Sequence, residues 1–154
     1  MSKHNSAVTL LAVLFLSAVV LLSSCTKEAG EQKAPAGGIP WLASMDEALQ
    51  QAGKNNRPIM IDVYADWCVW CKRLDSDTYS NGSVVAKAAD FVNLKLDADA
   101  NRSIVQRYQV GGLPTILFLD PDGREIHRVI GYKPPDQFIV DMETALAAFK
   151  NGKG

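Results

Sequence analysis

The chain has 154 residues, 47% of them hydrophobic and 21% charged, the proportions of one ordinary globular domain. Its 16 basic and 17 acidic groups leave a formal net charge of −1, so there is no electrostatic footprint for nucleic acid, and collagen-like, disordered and coiled-coil compositions are excluded as well. Three cysteines are too few for a disulfide-dense scaffold, and the odd count gives at least one of them a task other than pairing within the chain.

Ala7 to Leu22 is an apolar run in which only Thr9 and Ser17 are polar, and Lys3 precedes it. The basic start, apolar middle and small-residue end follow the order of a secretory signal, and the run is short for a membrane span. Leu22-Ser23-Ser24-Cys25 then resembles the lipobox of bacterial lipoproteins, in which the cysteine is lipidated and becomes the new N-terminus. On that resemblance residues 1–24 are a signal peptide, and Cys25 carries lipid and takes no part in redox chemistry. Residues 25–38, rich in Lys, Glu, Ala, Gly and Pro without apolar periodicity, are expected to be a flexible tether, and 39–154 the folded domain. Several acyl chains make such an anchor stable. Thr26 is not the aspartate associated with inner-membrane retention in some bacteria, which favours the outer membrane.

In the folded part, Ser44-Met45-Asp46-Glu47 has capping-box spacing and predicts a helix ending near Gly53. Ile59 to Ala65 is apolar on both alternating sets except for Asp62, as in a central strand covered on both faces. A helix is expected from Cys68–Cys71 towards Tyr79 with Cys71, Leu74 and Thr78 along one side, then a short helix over 83–89. A strand follows over Phe91–Asp97, and Ile104, Val105 and Tyr108 have helical spacing. Gly111-Gly112-Leu113-Pro114 breaks the chain before a strand at Thr115–Leu119. Asp120-Pro121-Asp122-Gly123 is a turn by composition, with Glu125–Ile130 as the second arm of a hairpin. Pro135 to Lys150 is an amphipathic helix with Phe138, Ile139, Met142, Leu146 and Phe149 on its apolar stripe. This order predicts an α/β fold, a mixed central sheet with helices on both faces.

Cys68-Val69-Trp70-Cys71 sits where a buried strand hands over to a helix, the setting in which a Cys-x-x-Cys pair reads as redox-active. At a helix N-terminus Cys68 meets unpaired backbone N–H groups and the positive end of the helix dipole, so its pKa is expected below the free value of about 8.5. Cys71, one turn in, is expected to be more shielded. Cys68 would attack a disulfide, and Cys71 would then attack Cys68.

Asp62-Val63-Tyr64-Ala65-Asp66-Trp67-Cys68-Val69-Trp70-Cys71-Lys72, with Gly112-Leu113-Pro114-Thr115, resembles the thioredoxin family, and within it the C-terminal periplasmic domain of thiol:disulfide interchange proteins, over roughly Pro40 to Lys150. The resemblance implies a thioredoxin-like fold and a thiol:disulfide oxidoreductase that needs no cofactor or metal, works as a monomer, acts on protein disulfides and draws electrons from a membrane-embedded thiol reductase. It makes Pro114 a cis-proline beside the cysteines and assigns the backbone around Leu113 to substrate pairing. It also makes Asp62 the buried acid below the site. Desolvation raises such a carboxyl's pKa, which suits proton exchange with Cys71, and a purely structural hydrogen-bonded aspartate is the other reading. Asp75, four residues after Cys71, stands where the resembled domain carries a longer Glu. Trp67 and Trp70 flank the sulfurs as candidate docking residues, although the usual role of an aromatic leads us to expect Trp67 to pack within the fold.

Val69-Trp70 replaces the Gly-Pro of thioredoxin itself. The intervening pair is expected to tune a reduction potential that spans about 150 mV among such proteins, so reduction, electron relay and net oxidation or isomerisation all remain open. The joint match favours a reductase or relay. Zinc would need two more ligands than the pair supplies. Copper handling, through soft thiolates and a distant histidine, is the better rival, although similar copper proteins generally space their cysteines one residue wider. His127, the one histidine beyond the signal segment, is expected on an exposed hairpin strand. A noncatalytic module with a structural disulfide is a third class.

Overall fold

A computed structural model describes residues 38–152; the expected signal peptide, Cys25 and the tether as far as Gly37 lie outside the described residues. Helix α1 (Met45–Asn55) starts at Ser44, whose hydroxyl accepts the Glu47 N–H at 3.4 Å. The capping box is only half made, because the Glu47 carboxylate takes the Gln51 side-chain amide one turn on at 3.2 Å. Asn56, in the left-handed region at φ 51, ends the helix. Strand β1 (Ile59–Tyr64) follows, then helix α2 (Val69–Arg73), which runs into a π-helical turn over Leu74–Thr78. The expected single helix from Cys68 to Tyr79 is thus interrupted: the Tyr79 N–H bonds back five residues to the Leu74 carbonyl at 2.9 Å.

Helix α3 (Gly82–Ala88), strand β2 (Val92–Asp97), helix α4 (Arg102–Arg107), strands β3 (Thr115–Leu119) and β4 (Glu125–Ile130), and helix α5 (Pro135–Asn151) complete the fold. The Asn81 side chain caps α3 through the Ser83 and Val84 N–H groups. Strand order is β2-β1-β3-β4, with β1 parallel to β2 and the other neighbours antiparallel. The mixed sheet with helices on both faces is as the sequence predicts.

Alternation along the strands divides the core in two. Ile59, Ile61 and Val63 of β1 join Leu94, Leu96, Leu117 and Leu119 beneath α1 and α4. Met60, with Ile116, Phe118 and Val129, lies under the other helices, against Leu74, Val84, Phe138 and Met142. Asp62 falls on this second face, between Met60 and Tyr64.

One element is absent from the sequence reading. Leu42 forms a parallel bridge with Leu94: its N–H donates to the Asn93 carbonyl at 2.8 Å, and its carbonyl accepts from Lys95 N–H at 3.0 Å. This covers part of the outer edge of β2, an edge that would otherwise offer unpaired backbone groups. It also brings Trp41 edge-on to Tyr79, with ring centroids 5.0 Å apart. Among the described residues no helix is long and apolar enough to cross a membrane.

Candidate active site

After Tyr64 the chain turns through Ala65-Asp66-Trp67. The Cys68 N–H closes this turn on the Ala65 carbonyl at 3.0 Å, and Cys68, with extended backbone, becomes the N-cap of α2. Its Sγ accepts the Cys71 N–H at 3.1 Å, taking the place that a Ser or Asp oxygen ordinarily holds at a helix start. Cys68 and Cys71 are joined as a disulfide, their Cα atoms 5.3 Å apart. They are 5% and 3% exposed. The expected contrast in shielding is therefore missing, because in the disulfide both sulfurs share one cover of Ala65, Tyr64 and Leu113.

Leu113 reaches the sulfurs from the loop before β3, where the Leu113–Pro114 peptide bond is cis. The Thr115 hydroxyl, donating to the Gly112 carbonyl at 2.7 Å, and the Gly131 N–H, donating to the Pro114 carbonyl at 2.8 Å, hold this loop from both sides. The two sequence-distant motifs thus meet at one end of the sheet.

Trp67 does not pack within the fold. It is 68% exposed, Ala65 being the buried residue of this turn, and its indole N–H donates to Asp99 Oδ2 at 2.9 Å. The ring lines an open cleft of about 510 Å³ with Arg102, Val110 and Leu113. On the other side of the pair the half-exposed Trp70 lies 6.1 Å from the Tyr132 ring. The Arg73 guanidinium is 4.8 Å from Tyr132 and 5.8 Å from Trp70. Asp77 accepts from both Arg73 Nε at 3.2 Å and the Tyr132 hydroxyl at 3.3 Å, which fixes this shelf.

Register explains the surroundings of Asp62. It pairs with Lys95 across the β1–β2 ladder, and parallel partners point to the same face. Lys95 Nζ lies 3.2 Å from Asp62 Oδ2 and also bonds Asp75 Oδ1. The ammonium sits 5.0, 5.5 and 5.6 Å from the rings of Tyr64, Tyr79 and Trp41. A half-buried cation is thus shared by two carboxylates and caged by three aromatic faces. Asp75 reaches towards Asp62 through this lysine.

Burial pushes the Asp62 carboxyl up to about 6, against the pull of Lys95, which would lower it. For Lys95 burial works downward, but the Asp62 and Asp75 charges outweigh it and its pKa rises. Lys95, Trp41 and Tyr79 were absent from the sequence-derived site. The sequence signal for Lys95 is weak, because it sits with Asn93 and Asp97 on the regular polar set of β2, whereas Asp62 is the one charged residue of β1.

His127 is half-buried, against the expectation of exposure. It lies beside the Phe118 ring, and its Nε2 meets Asp141 Oδ1 at 3.1 Å. It is two strands from β1, and its β3 partner Phe118 is level with Met60, so it is on the order of 10 Å down the sheet from the end that carries the cysteines. Among the described residues no group of three or more His, Cys, Asp or Glu side chains is arranged to hold a metal ion.

A cysteine pair joined as a disulfide, its first sulfur capping a helix and a cis-proline loop facing it at the end of a mixed sheet, defines a thioredoxin-type redox site. The chain belongs to the thioredoxin-like family: the model of the thioredoxin-like domain matches residues 45–145. It is 34% identical over 110 residues to the thiol:disulfide interchange protein DsbD of Ralstonia nicotianae, an alignment covering 68% of this chain and 18% of that protein. It is 36% identical over 122 residues to the protein of the same name from Yersinia pestis, covering 75% and 20%. The chain therefore spans about a fifth of the length of the curated relatives it matches. The reduced C-terminal domain of Neisseria meningitidis DsbD superposes with a TM-score of 0.58 at 25% identity, over 65% of this chain and 92% of that one.

Asp62 generates a prediction with a defined sign. Its pKa is higher folded than at its ordinary 3.8, so its contribution to stability is full below pH 3.8 and is lost as the pH rises through about 6. Asp62→Asn is expected to stabilise the protein at pH 7 by up to about 3 kcal/mol, less whatever Lys95 loses, with the gain fading as the pH falls from about 6 to about 4. Urea titrations from pH 4 to 8 measure it; a pH-independent difference would contradict the assignment.

Proposed function

We propose that the chain is a lipid-anchored, periplasm-facing thiol:disulfide oxidoreductase that passes electrons to protein disulfides through Cys68 and Cys71. The observation that carries this reading is the Cys68 sulfur at the N-cap of α2, taking the Cys71 N–H, under a cis-proline loop. Charge on that sulfur is favoured by the N–H groups and by the helix dipole, so Cys68 is the nucleophile.

In the dithiol form the Cys68 thiolate attacks one sulfur of a client disulfide. A Cys68–client S–S bond forms, the client's own S–S bond breaks, and the departing client sulfur takes a proton from solvent. Cys71 then loses its proton and attacks Cys68 Sγ. The Cys68–Cys71 bond forms, the mixed disulfide breaks, and the second client sulfur leaves. Two electrons have moved from the pair to the client, and a donor dithiol, by analogy that of a membrane-embedded thiol reductase, restores the pair by the same exchange run in reverse.

Asp62, whose carboxyl burial pushes up to about 6, is the group that accepts and returns the Cys71 proton, with Lys95 and Asp75 holding it in place. Trp67, Trp70, Leu113 and Pro114 form the docking rim, with the backbone around Leu113 pairing to an extended client segment. Copper handling gains no support from His127, which is held by Asp141 well away from the sulfurs. The reductive direction rests on similarity to the interchange proteins.

Residues 1–24 are read as a signal peptide and Cys25 as the lipid-bearing N-terminus, on the strength of the apolar run and Leu22-Ser23-Ser24-Cys25. An outer-membrane anchor is favoured by Thr26.

Cys71→Ser is expected to accumulate mixed disulfides on Cys68 that vanish in the Cys68→Ser, Cys71→Ser double variant. Diagonal gels on periplasmic extracts read this, and failure to trap any client counts against the enzyme. Equilibration with glutathione should give a potential close to the thioredoxin value of about −270 mV, whereas one near about −120 mV would make the protein an oxidant. Cys25→Ser should move the chain from the membrane pellet to the soluble fraction; retention in the pellet would remove the anchor.

A further inference from the structure

Three buried side-chain oxygens among the described residues lack a hydrogen-bond partner: Asp62 Oδ1, the Tyr79 hydroxyl and Asn93 Oδ1. Such groups are costly and uncommon, and two of them occur in the seam beneath the cysteines. Asp62 Oδ1 and Asn93 Oδ1 can accept while a carboxylate and an amide stand there, but only the Tyr79 hydroxyl has a proton to donate. Asn93 is engaged elsewhere through its amide, which donates to the Ala88 carbonyl at 3.0 Å. Tyr79 and Asp62 act on one another: the Asp62 charge, after burial itself, raises the Tyr79 hydroxyl's pKa, and that hydroxyl in turn favours the Asp62 carboxylate.

The ring of Tyr79 is positioned independently of its hydroxyl. Its backbone N–H closes the π-helical turn on Leu74, and the ring packs edge-on against Trp41 at 5.0 Å and Phe138 at 5.7 Å. Lys95 Nζ, already 3.2 Å from Asp62 Oδ2, lies 5.5 Å from the same ring. The titratable groups of this seam are therefore Asp62 and Tyr64 on β1, Lys95 on β2, and Asp75 and Tyr79 on and just after the π-helical turn. Lys95 is a donor only, so it serves a charged Asp62 and offers nothing to a protonated one.

We propose that Tyr79 is a positioning residue for Asp62: a small rotation of these two unpartnered side chains lets the hydroxyl donate to Oδ1 while the carboxylate is charged and accept from Oδ1 once Asp62 has taken a proton. Asp62 Oδ1 then has a partner in either protonation state without movement of the backbone. No bond to carbon or sulfur changes; one proton passes between Cys71 and Asp62, and the hydroxyl only reorients. The proposal rests on Asp62 being the proton acceptor for Cys71, as in the function proposed above.

A hydrogen bond to the charged form is the stronger of the two, so its loss favours the neutral acid. In the reduced full-length protein Tyr79→Phe, which keeps the ring, is expected to raise the titration midpoint of Asp62 by about one unit, read from its carboxyl 13C shift. The acid limb of the pH profile for mixed-disulfide resolution should move with it, and Tyr79→Phe should have no such effect on an Asp62→Asn background. Incorporation of 3,5-difluorotyrosine at position 79, a more acidic donor, should shift the midpoint the other way and covers the case in which Tyr79→Phe does not fold. A midpoint unmoved or moved against these signs overturns the proposal, even if the variant is less stable, since lost packing alone lowers the urea midpoint without shifting a titration. The carboxyl titration needs no client, so absence of disulfide exchange by the unaltered protein would defeat the function and leave the hydrogen-bond assignment to be judged by that titration alone.

Discussion

The arrangement turns on a carboxylate buried in the sheet. Asp62 is 1% exposed in a strand whose other residues are apolar or aromatic, and a charge there is tolerable only beside a counter-charge that the fold itself delivers. The β1–β2 register delivers it, since Lys95 is Asp62's ladder partner on the same face. A slip of one residue in that pairing would turn Lys95 to the opposite face, among Ile61, Val63 and Leu94, and leave Asp62 without its cation. The aromatic cage, the Leu42 bridge that brings Trp41 into it, and the turn that supplies Asp75 and Tyr79 are all built around this one pair.

The second constraint is local. A helix that starts at the end of a buried strand exposes N–H groups that need an acceptor, and most sequences provide an oxygen. Here a sulfur does so, and whatever stabilises negative charge at the start of α2 would also stabilise a thiolate at Cys68, as the proposed mechanism needs. The interruption of the helix by a π-helical turn one residue before Asp75 follows the tendency of such irregularities to occur at functional sites. At the end of that turn, Thr78 points inward to donate to the Lys133 carbonyl at 2.6 Å, tying the turn to the segment that enters α5.

Much of this was legible in the sequence. Alternation placed all four strands to within a residue or two, and the strand-to-helix position of Cys68-Val69-Trp70-Cys71 located the reactive pair. The cis geometry at Pro114 was not readable from composition, since only about 5 to 6% of such bonds are cis, and it came from the resemblance. Lys95 was passed over because its meaning lies in a ladder pairing 33 positions from Asp62, and local periodicity carries no register between strands. Trp67 was expected inside because aromatics usually pack, yet the buried residue of that turn is the small Ala65. The Leu42 bridge is a single pair, too short to show any alternation.

Asp75 acquires its place from the same electrostatics. If Lys95 had only Asp62 for a partner, each proton taken up by Asp62 would leave a half-buried ammonium uncompensated among three aromatic rings. With Asp75 bonded to the same nitrogen, Lys95 keeps a counter-charge in both protonation states of Asp62, and the lysine need not swing out towards water. Asp75 is itself nearly half exposed, so its own charge stays hydrated and costs little to maintain. On the proposed mechanism an aspartate suffices, because its support of Asp62 is made through Lys95. A carboxylate that acted on the sulfurs directly would need a longer reach, whereas Lys95 links the two carboxylates, and in the proposed exchange Asp75 has only to hold the lysine still while Asp62 changes charge.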